Sequence, residues 1–372
     1  MAAGYSLKDD LFNRETVSRL ANEFDDAGVF KAQPFIDQVM AGLLPLELKA
    51  RIAWIALVLA DHLPADFPAA AAAIHAALPP PLDPALTDDD FGHFIHAPLG
   101  VYVENHGLAG HLATSLDLLE AITKRFSMEF SIRAFLNTHE GAVLDRMQDW
   151  AVHPNYHVRR LVSEGTRPKL PWGKGVGLTH DQTLPLLDTL HNDPTRYVVR
   201  SVANHLNDIA KSKPDIVIDR LQEWQSAAQQ TPNEIVWMFK HATRTLIKTG
   251  HPGAMALLGY APDAPVSVQE FAITPIALNI GDAAEVTCTL IAPENTPVIV
   301  DYVIDYVKAN GRTAPKVSKF KMLGLKANQP VDLSKKHTFR GDATTFKLYS
   351  GAHQVHLQVN GRILASLPFT LN

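Results

Sequence analysis

The chain of 372 residues contains a single cysteine, Cys288, so no disulfide can form within it. This excludes the disulfide-stapled class of small secreted domains and any four-cysteine metal cluster. Long apolar runs are also missing, because the most apolar stretches, near 52–59 and 69–78, are too short and too interrupted to span a bilayer. The N-terminal residues show no apolar segment, so we expect no secretory signal, no membrane partner and a cytoplasmic protein.

Positive charge is scarce in the first part of the chain. The net charge is −5 at pH 7, but residues 1–149 contain 10 Lys and Arg against 21 Asp and Glu. Residues 150–250 contain 13 against 9, and residues 264–372 contain 11 against 8. A basic second part is compatible with a polyanionic partner. Sorting of charge between domains is common, however, and does not identify a function by itself.

Two hydrophobic periodicities divide the chain. Apolar residues recur at helical spacing up to residue 261 and alternate with polar residues from residue 265. We therefore predict a mostly α protein, with a helical domain at 1–261 and a β domain at 265–372. Asn310-Gly311 and Asn360-Gly361 are typical hairpin turns, and the many short strands favour an immunoglobulin-like sandwich. We predict these strands at 266–272, 284–291, 297–306, 317–323, 329–339, 345–348, 353–359 and 362–370.

One pattern within the helical part repeats after 40 residues. The segment 154–164 aligns with 194–204, and a further shift of 40 leads to Met238, Lys240, Ala242 and Arg244. Apolar residues coincide at positions 158, 198 and 238 and again at 162, 202 and 242, and companion helices are expected at 184–190 and 216–224. A period near 40 with paired helices is typical of HEAT-like repeats, which stack into a solenoid.

The same alignment places Arg160, Arg200 and Lys240 at equivalent positions in successive repeats. A file of cations and amides is what binding to phosphates requires. An acidic protein partner is an equally good interpretation of these residues taken alone. The predicted contacts are Arg159, Arg160, Arg167, Arg196, Arg200, Lys240, Arg244 and Lys248, with Asn155, His157, Asn204 and His241 as neutral donors.

The stretch from Trp150 to Trp172 is the most informative. Arg160 and Glu164 are four residues apart and can share a helix face, and Pro168 disfavours continuation of the helix beyond Arg167. A solvated ion pair over a core helix is one interpretation. The other is a functional carboxylate among arginines, for which Glu129 or Asp208 supplies a second acid. We expect Glu129 in the first turn of a helix capped by Ser127.

A stretch rich in histidine, with residues 93, 96, 106 and 111, matches no metal-binding spacing that we can name. No phosphate-binding loop is complete either. We therefore expect no metal and no nucleotide or other cofactor.

The string WAVHPNYHVRRLVSEGTRPKLPWG, residues 150–173, resembles the signature of AlkC-type DNA glycosylases. These are members of the AlkD-like superfamily of HEAT-like-repeat alkylation-repair enzymes, and the resemblance extends over nearly the whole chain. It implies excision of small alkyl lesions, such as 3-methyladenine and 3-methylcytosine, from duplex DNA without flipping the base into a deep pocket. It also implies the C-terminal immunoglobulin-like domain. Arg160, Glu164, Arg167, Trp172 and Glu129 match the family's motif positions, whereas Asp208 is assigned on a shorter string.

We accordingly predict a monomeric, monofunctional DNA repair glycosylase whose partner is damaged double-stranded DNA. A cationic base is a good leaving group, and carboxylates stabilise the oxocarbenium-like sugar that it leaves behind. The predicted catalytic residues are Glu164, Glu129, Asp208 and Trp172. No lysine is placed as a Schiff-base nucleophile, so we expect no lyase step. The alternatives are a non-catalytic HEAT-like protein that binds DNA structures and a protein-interaction scaffold, and Trp172 is then a loop anchor.

Overall fold

The computed structural model describes residues 6–86, 88, 91–342 and 346–372. The chain divides into two compact units, Met1–Ile209 and Ala210–Asn372. The predicted division into domains at 1–261 and 265–372 remains a prediction. Within the described ranges no single helix is long and apolar enough to cross a membrane, and Leu48–His62 with Phe67–Ala77 passes that test only as a pair bent by 109°.

The first unit is helical because its apolar residues recur every three or four positions. In the helix Arg14–Asp26, for example, Asn13 and Thr16 form a capping box, and Val17, Leu20 and Phe24 are buried on one side. A 3-10 turn, Phe94–His96, precedes the sixth helix. The helices are α1 (Leu7–Leu11), α2 (Arg14–Asp26), α3 (Ala32–Leu43), α4 (Leu48–His62), α5 (Phe67–Ala77), α6 (Ala97–Gly107), α7 (Leu112–Thr123), α8 (Ile132–Thr138), α9 (Glu140–Ala151), α10 (Tyr156–Gly165), α11 (His180–Leu190) and α12 (Arg196–Ala210).

Burial confirms the register of the 40-residue repeat. The equivalent positions 158, 198 and 238 are fully buried, and so are positions 162, 202 and 242. The first two segments form α10 and α12, with α11 as the companion helix of the first unit. The third segment belongs to the second unit, whose helices are α13 (Pro214–Ala227), α14 (Pro232–Ala242), α15 (Arg244–Lys248) and α16 (Pro252–Leu257).

One local prediction in the first unit is wrong. Ser127 does not cap a helix, because residues 129–131 form a turn and α8 begins only at Ile132. The Ser127 hydroxyl instead donates a hydrogen bond of 3.0 Å to Glu129. Glu129 therefore lies in the turn before α8 and is not part of the first turn of that helix.

The second unit contains the β domain. Its strands are β1 (Ser267–Thr274), β2 (Ala277–Leu278), β3 (Ala283–Ile291), β4 (Thr296–Val307), β5 (Thr313–Leu325), β6 (Val331–Thr338), β7 (Gly351–Val359) and β8 (Arg362–Leu371). They form a three-stranded sheet, β1-β3-β6, and a five-stranded sheet, β2-β8-β7-β4-β5. The predicted strand at 345–348 is wrong for residues 346–348, which form no strand, and Thr345 lies outside the described residues. The two-residue strand β2 was not predicted.

Both predicted hairpins are present. Asn310-Gly311 joins β4 to β5, and Asn360-Gly361 joins β7 to β8. Asn360 and Gly361 both have positive φ, 47° and 82°, which is the backbone that a two-residue hairpin needs. The hairpins set the register of β4 between β5 and β7, so that Val300, Tyr302 and Ile304 point into the core between the sheets.

The opposite face of the five-stranded sheet is also covered. Asp301 on this face is only 5% exposed. Asn360 donates a hydrogen bond of 2.9 Å to the carbonyl of Ala261, and a Cβ on Gly250 would lie 2.5 Å from the carbonyl oxygen of Gly361. The helical segment that ends the second unit's α region therefore packs on this face, in contact too close for side chains at Gly250 or Gly361.

The two tryptophans at the ends of the motif should differ in how much they contribute to stability. Trp150 in α9 is 1% exposed, and its indole donates a 2.8 Å hydrogen bond to Glu120. Trp172 is 55% exposed. We expect Trp150→Ala to lower the free energy of unfolding by about 3–5 kcal/mol through loss of core packing, and Trp172→Ala to change it by less than about 0.5 kcal/mol. Urea denaturation measures both, and similar losses in the two variants would contradict this assignment.

Candidate functional site

The central helix of the site, α10, has local signals at both ends. The Asn155 side chain caps the N-terminus by accepting hydrogen bonds from the amides of His157 and Val158, at 2.9 and 3.4 Å. Thr166 ends the helix, two residues before Pro168. The predicted DNA-contact residue Asn155 thus has a structural role, and His157 is 4% exposed.

Glu164 lies at the end of α10 in a nearly closed polar cluster. Its side chain is 6% exposed. One carboxylate oxygen accepts a hydrogen bond of 2.5 Å from Arg167, and the other accepts one of 2.5 Å from Ser201 of α12. Arg167 also donates to Asp208 at 3.0 Å. One guanidinium therefore bridges two carboxylates, and both are predicted catalytic residues.

Arg160 links the same cluster to the turn before α8. It donates a hydrogen bond of 2.7 Å to Glu129 and lies 3.7 Å from the second oxygen of Glu164. Its guanidinium also lies 4.3 Å from the centre of the Tyr197 ring, a cation–π contact. The structure thus brings together Glu129, Glu164 and Asp208 through Arg160 and Arg167. Glu129, with 15% of its side chain exposed, is the most accessible of the three carboxylates.

Charge keeps Glu164 ionised. Burial by itself would raise the pKa of Glu164, but the positive charges of Arg160 and Arg167 and the hydrogen bond from Ser201 outweigh burial and lower it. Burial likewise would lower the pKa of Arg160, yet Glu129 and Glu164 raise it above its ordinary value. Glu164 therefore presents anionic oxygens at neutral pH, although it is largely withdrawn from water.

Trp172 is carried by a loop that several cations hold in place. Its φ is +66°, a conformation that is uncommon for a residue with a side chain. Lys49 donates a hydrogen bond of 2.8 Å to its carbonyl, and Arg133 donates to the carbonyl of Lys174, whose ammonium pairs with Glu104. Such over-determined strain is found mainly at functional sites.

A cavity of about 230 Å³ lies beside Trp172. Its walls are mainly apolar, with Ile52, Phe94, Val101, Phe126 and Met128 among the lining residues. Ser127 also lines it, and the Ser127 hydroxyl lies 3.3 Å from Arg160 and 3.0 Å from Glu129. Ser127 thus connects the cavity that Trp172 borders with the carboxylate cluster.

Three residues of this cluster were not predicted. Ser201 and Tyr197 contact Glu164 and Arg160, and Arg133 donates hydrogen bonds of 2.8 and 2.9 Å to the carbonyls of Gly165 and Arg167. A signal for the first two was present, because positions 197, 201, 204 and 208 form a polar stripe at helical spacing along α12. Arg133 lies in an apolar segment with no pattern that points to it.

The residues of the first unit that were predicted to contact a polyanion differ in how many ion pairs and hydrogen bonds they form within the protein. Arg159 pairs with Asp193 at 2.5 Å and donates to the carbonyls of His153 and Pro154. Arg200 pairs with Asp88. Arg196 and Asn204 are half-buried. In place of a file of open cations, this unit shows arginines that are mostly matched to carboxylates.

The second unit holds the remaining predicted contacts. Lys240 and Lys248 are exposed, and Arg244 is half-buried and donates to the carbonyl of His241 at 2.5 Å. The imidazole of His241 stacks on Trp237, with ring centres 4.9 Å apart. Cations therefore occur on successive turns from α14 through α15, and their contact with a polyanion stays a prediction.

The histidine-rich stretch is engaged in local contacts. His96 pairs with Glu23 at 2.8 Å, His93 contacts Arg19, and His106 stacks on Tyr102. Within the described residues, no group of three or more His, Cys, Asp or Glu side chains is arranged to hold a metal ion.

Comparisons with known proteins give consistent matches. A family model described as "Uncharacterised protein YhaZ, C-terminal Ig-like domain" matches residues 267–372. The protein YhaZ of Bacillus subtilis is 32% identical over 97% of this chain and 98% of its own. Pseudomonas fluorescens alkylpurine DNA glycosylase AlkC, solved bound to DNA containing an abasic site analogue, is 33% identical over 99% of this chain and all of its own, with a TM-score of 0.87.

His205, packed beneath the cluster, should make stability depend on pH. It is fully buried, its Nδ1 donates to the carbonyl of Ser163 at 3.1 Å, and its Nε2 has no hydrogen-bond partner among the described residues. Burial lowers its pKa to about 4. Between about pH 6.5 and 4 the unfolded chain binds a proton at this residue and the folded protein does not. The free energy of unfolding should therefore decrease by up to about 3 kcal/mol as the pH is lowered through this range.

Urea denaturation at both ends of this range measures the effect, and the decrease should be smaller in His205→Gln. The exposed His75→Gln is the control, and an unchanged fall in His205→Gln would contradict the assignment.

Proposed function

Since the chain belongs to the AlkC-type family of DNA glycosylases, which also includes YhaZ of Bacillus subtilis, we propose that it excises cationic alkylated bases from duplex DNA. The bond hydrolysed is the N-glycosidic bond, and the substrates are 3-methyladenine and 3-methylcytosine. The observation that carries the proposal is Glu164, a buried carboxylate kept ionised by Arg160, Arg167 and Ser201.

The chemistry needs little more than fixed negative charge. A methylated base with a formal positive charge leaves as a neutral molecule, so no acid has to protonate it. The sugar that remains resembles an oxocarbenium cation, and preorganised carboxylates stabilise such a cation better than mobile water does. Glu164, Glu129 and Asp208 are the carboxylates proposed for this role, and one of them also orients the attacking water.

The arginines of the cluster have two effects. They oppose protonation of Glu164, as its lowered pKa indicates. They also fix the orientation of the oxygens, because Arg167 bridges Glu164 and Asp208 while Arg160 bridges Glu129 and Glu164. Positioning of this kind lowers the reorganisation needed in the transition state.

We propose that Trp172 contacts the damaged nucleotide from the exposed loop. Its ring is 55% exposed beside a cavity that also reaches Ser127. An aromatic face attracts a cation, so it favours both a cationic base and a cationic sugar. This contact requires no deep base pocket, in agreement with excision without deep base flipping.

DNA contacts away from the reacting sugar are proposed for the basic side chains of both units. Lys240 and Lys248 are exposed cations at equivalent or neighbouring repeat positions, and the side chain of Arg200 is 33% exposed. The proposed DNA contacts are all the residues predicted from the sequence. Two of them also have structural roles, since Arg159 pairs with Asp193 and Asn155 caps α10. We propose a monomeric, monofunctional enzyme without cofactor, with domains at 1–261 and 265–372.

Replacing Glu164 should remove the chemistry and leave DNA binding. We expect Glu164→Gln to slow release of 3-methyladenine and 3-methylcytosine from methylated duplex DNA about 100-fold or more. Affinity for the duplex should stay or improve, because a negative charge is lost near phosphates. Single-turnover base release, scored separately for the two 3-methyl bases and 7-methylguanine, measures this effect.

The matched control is Glu223→Gln, which neutralises an exposed carboxylate of α13 and should leave release unchanged. If Glu164→Gln does not fold, Glu129→Gln tests the same cluster at its more accessible end. If the wild-type protein binds duplex DNA but releases no base, the enzymatic proposal is wrong and the protein is a DNA-binding module.

The pH profile should report the lowered pKa of Glu164. A carboxylate with a depressed pKa stays ionised as the pH falls through its ordinary range, near 4.3. We therefore expect the rate of enzymatic release, corrected for spontaneous depurination, to stay constant from about pH 8 to about pH 5. It should fall only below the ordinary pKa of a glutamate side chain. A fall centred between pH 6 and 7 would mean that a group other than this ionised carboxylate limits the reaction.

A further inference from the structure

The second unit contains a cleft that the proposed chemistry does not use. Its volume is about 200 Å³, and it lies between the helical residues 240–258 and the outer face of the five-stranded sheet. Three cations on successive helical turns, Lys240, Arg244 and Lys248, line one side. Lys319 of β5 lines the other side, and Asp301 of β4 is also in the wall. Four cations and one carboxylate therefore line the cleft.

The three lysines of this cleft are not paired with carboxylates as Arg160 and Arg167 are. Within the described part of the chain, Lys240, Lys248 and Lys319 have no carboxylate within 4.0 Å. Asp301 influences Lys248 and Lys319 only at longer range. Four like charges around a concave surface repel one another, and they favour a bound anion more than any single surface lysine does.

We propose that this cleft binds a phosphate group through Lys240, Arg244, Lys248 and Lys319. Asp301 is the carboxylate that competes with the phosphate for these cations. A phosphate offers several acceptor oxygens to these donors, and arginine and lysine are the side chains that bind it in proteins. The source is either a DNA backbone phosphodiester, in which case the site rests on the proposed function, or a free phosphate.

Asp301 is the feature that distinguishes this cleft from a simple basic patch. It is 5% exposed and lies on the same sheet face as Lys319, its antiparallel partner in β5. The charged groups that face it are Lys248 and Lys319, and Lys240 and Arg244 complete the cleft wall. Burial raises the pKa of Asp301 to about 6, although both lysines act in the opposite direction. An entering phosphate also disfavours the ionised form, so binding should be accompanied by uptake of a proton.

The test compares three variants of the full chain for binding to an unmodified DNA duplex, followed by fluorescence anisotropy from about 50 mM to about 200 mM salt. Lys319→Gln should weaken binding severalfold at the lower salt and reduce the slope of log affinity against log salt by about 0.9 for one lost phosphate contact. Asp301→Asn should strengthen binding severalfold at pH 7.5 and reduce its dependence on pH between 5 and 7. Lys335→Gln, an exposed lysine of β6 in the other sheet, is the charge-matched control and should change the slope less.

A second arm uses inorganic sulfate, which does not titrate in this range, as a probe of free anions. Protection of the wild-type protein from thermal denaturation by sulfate, lost in Lys319→Gln and kept in Lys335→Gln, together with unchanged DNA binding, would assign the cleft to free phosphate. If Lys319→Gln changes neither DNA binding nor sulfate protection, the proposal is overturned, and an acidic protein segment becomes the occupant to test.

Failure of the glycosylase proposal is distinguishable from failure of this one. If no base is released by the wild-type protein but Lys319→Gln still weakens duplex binding, the phosphate site stands without the enzyme. If base release is normal at saturating enzyme and the cleft variants bind like the control, the enzyme stands without the site. Should Lys319→Gln fold poorly, Lys248→Gln on α15 replaces it.

Discussion

The structure of the site depends on pairing buried carboxylates with guanidinium groups. Glu164 is almost out of contact with water, and an unpaired carboxylate in that position would be neutral. Arg167 and Arg160 keep it charged, and the Ser201 hydroxyl completes its coordination. Removing either arginine would therefore change the charge of the site as well as its shape.

This pairing also decides which elements must be rigid. Arg167 follows the end of α10 and reaches Asp208 on α12, so the two helices of successive repeats are held by one side chain. Arg133 fastens the carbonyls of Gly165 and Arg167 from a third helix. The repeat architecture supplies a constant distance between such helices, which a network of hydrogen bonds with narrow tolerance requires.

The carboxylate cluster of the first unit and the cleft of the second unit use their cations differently. In the first unit the guanidinium groups of Arg159, Arg160 and Arg167 form ion pairs with carboxylates and fix the positions of those carboxylates. In the second unit, Lys240 and Lys319 face a cleft with one carboxylate among four cations. Planar, bidentate groups suit fixed pairs, whereas flexible ammonium groups suit an anion that arrives and leaves.

The sequence by itself determined the periodic features of this protein. Apolar repetition every 40 residues located the equivalent core positions, period-two alternation located most of the strands, and Asn360-Gly361 specified a hairpin, because each depends on contacts close in sequence or on backbone preference. It also drew attention to Glu164, through a motif that resembles a known family. Only the tertiary structure decided that Ser201 and Tyr197 complete the cluster, that Ser127 and Glu129 both accept hydrogen bonds from Arg160, and that most arginines of the first unit are already paired. Those outcomes depend on distances between side chains 30 or more residues apart, and no local pattern encodes such distances.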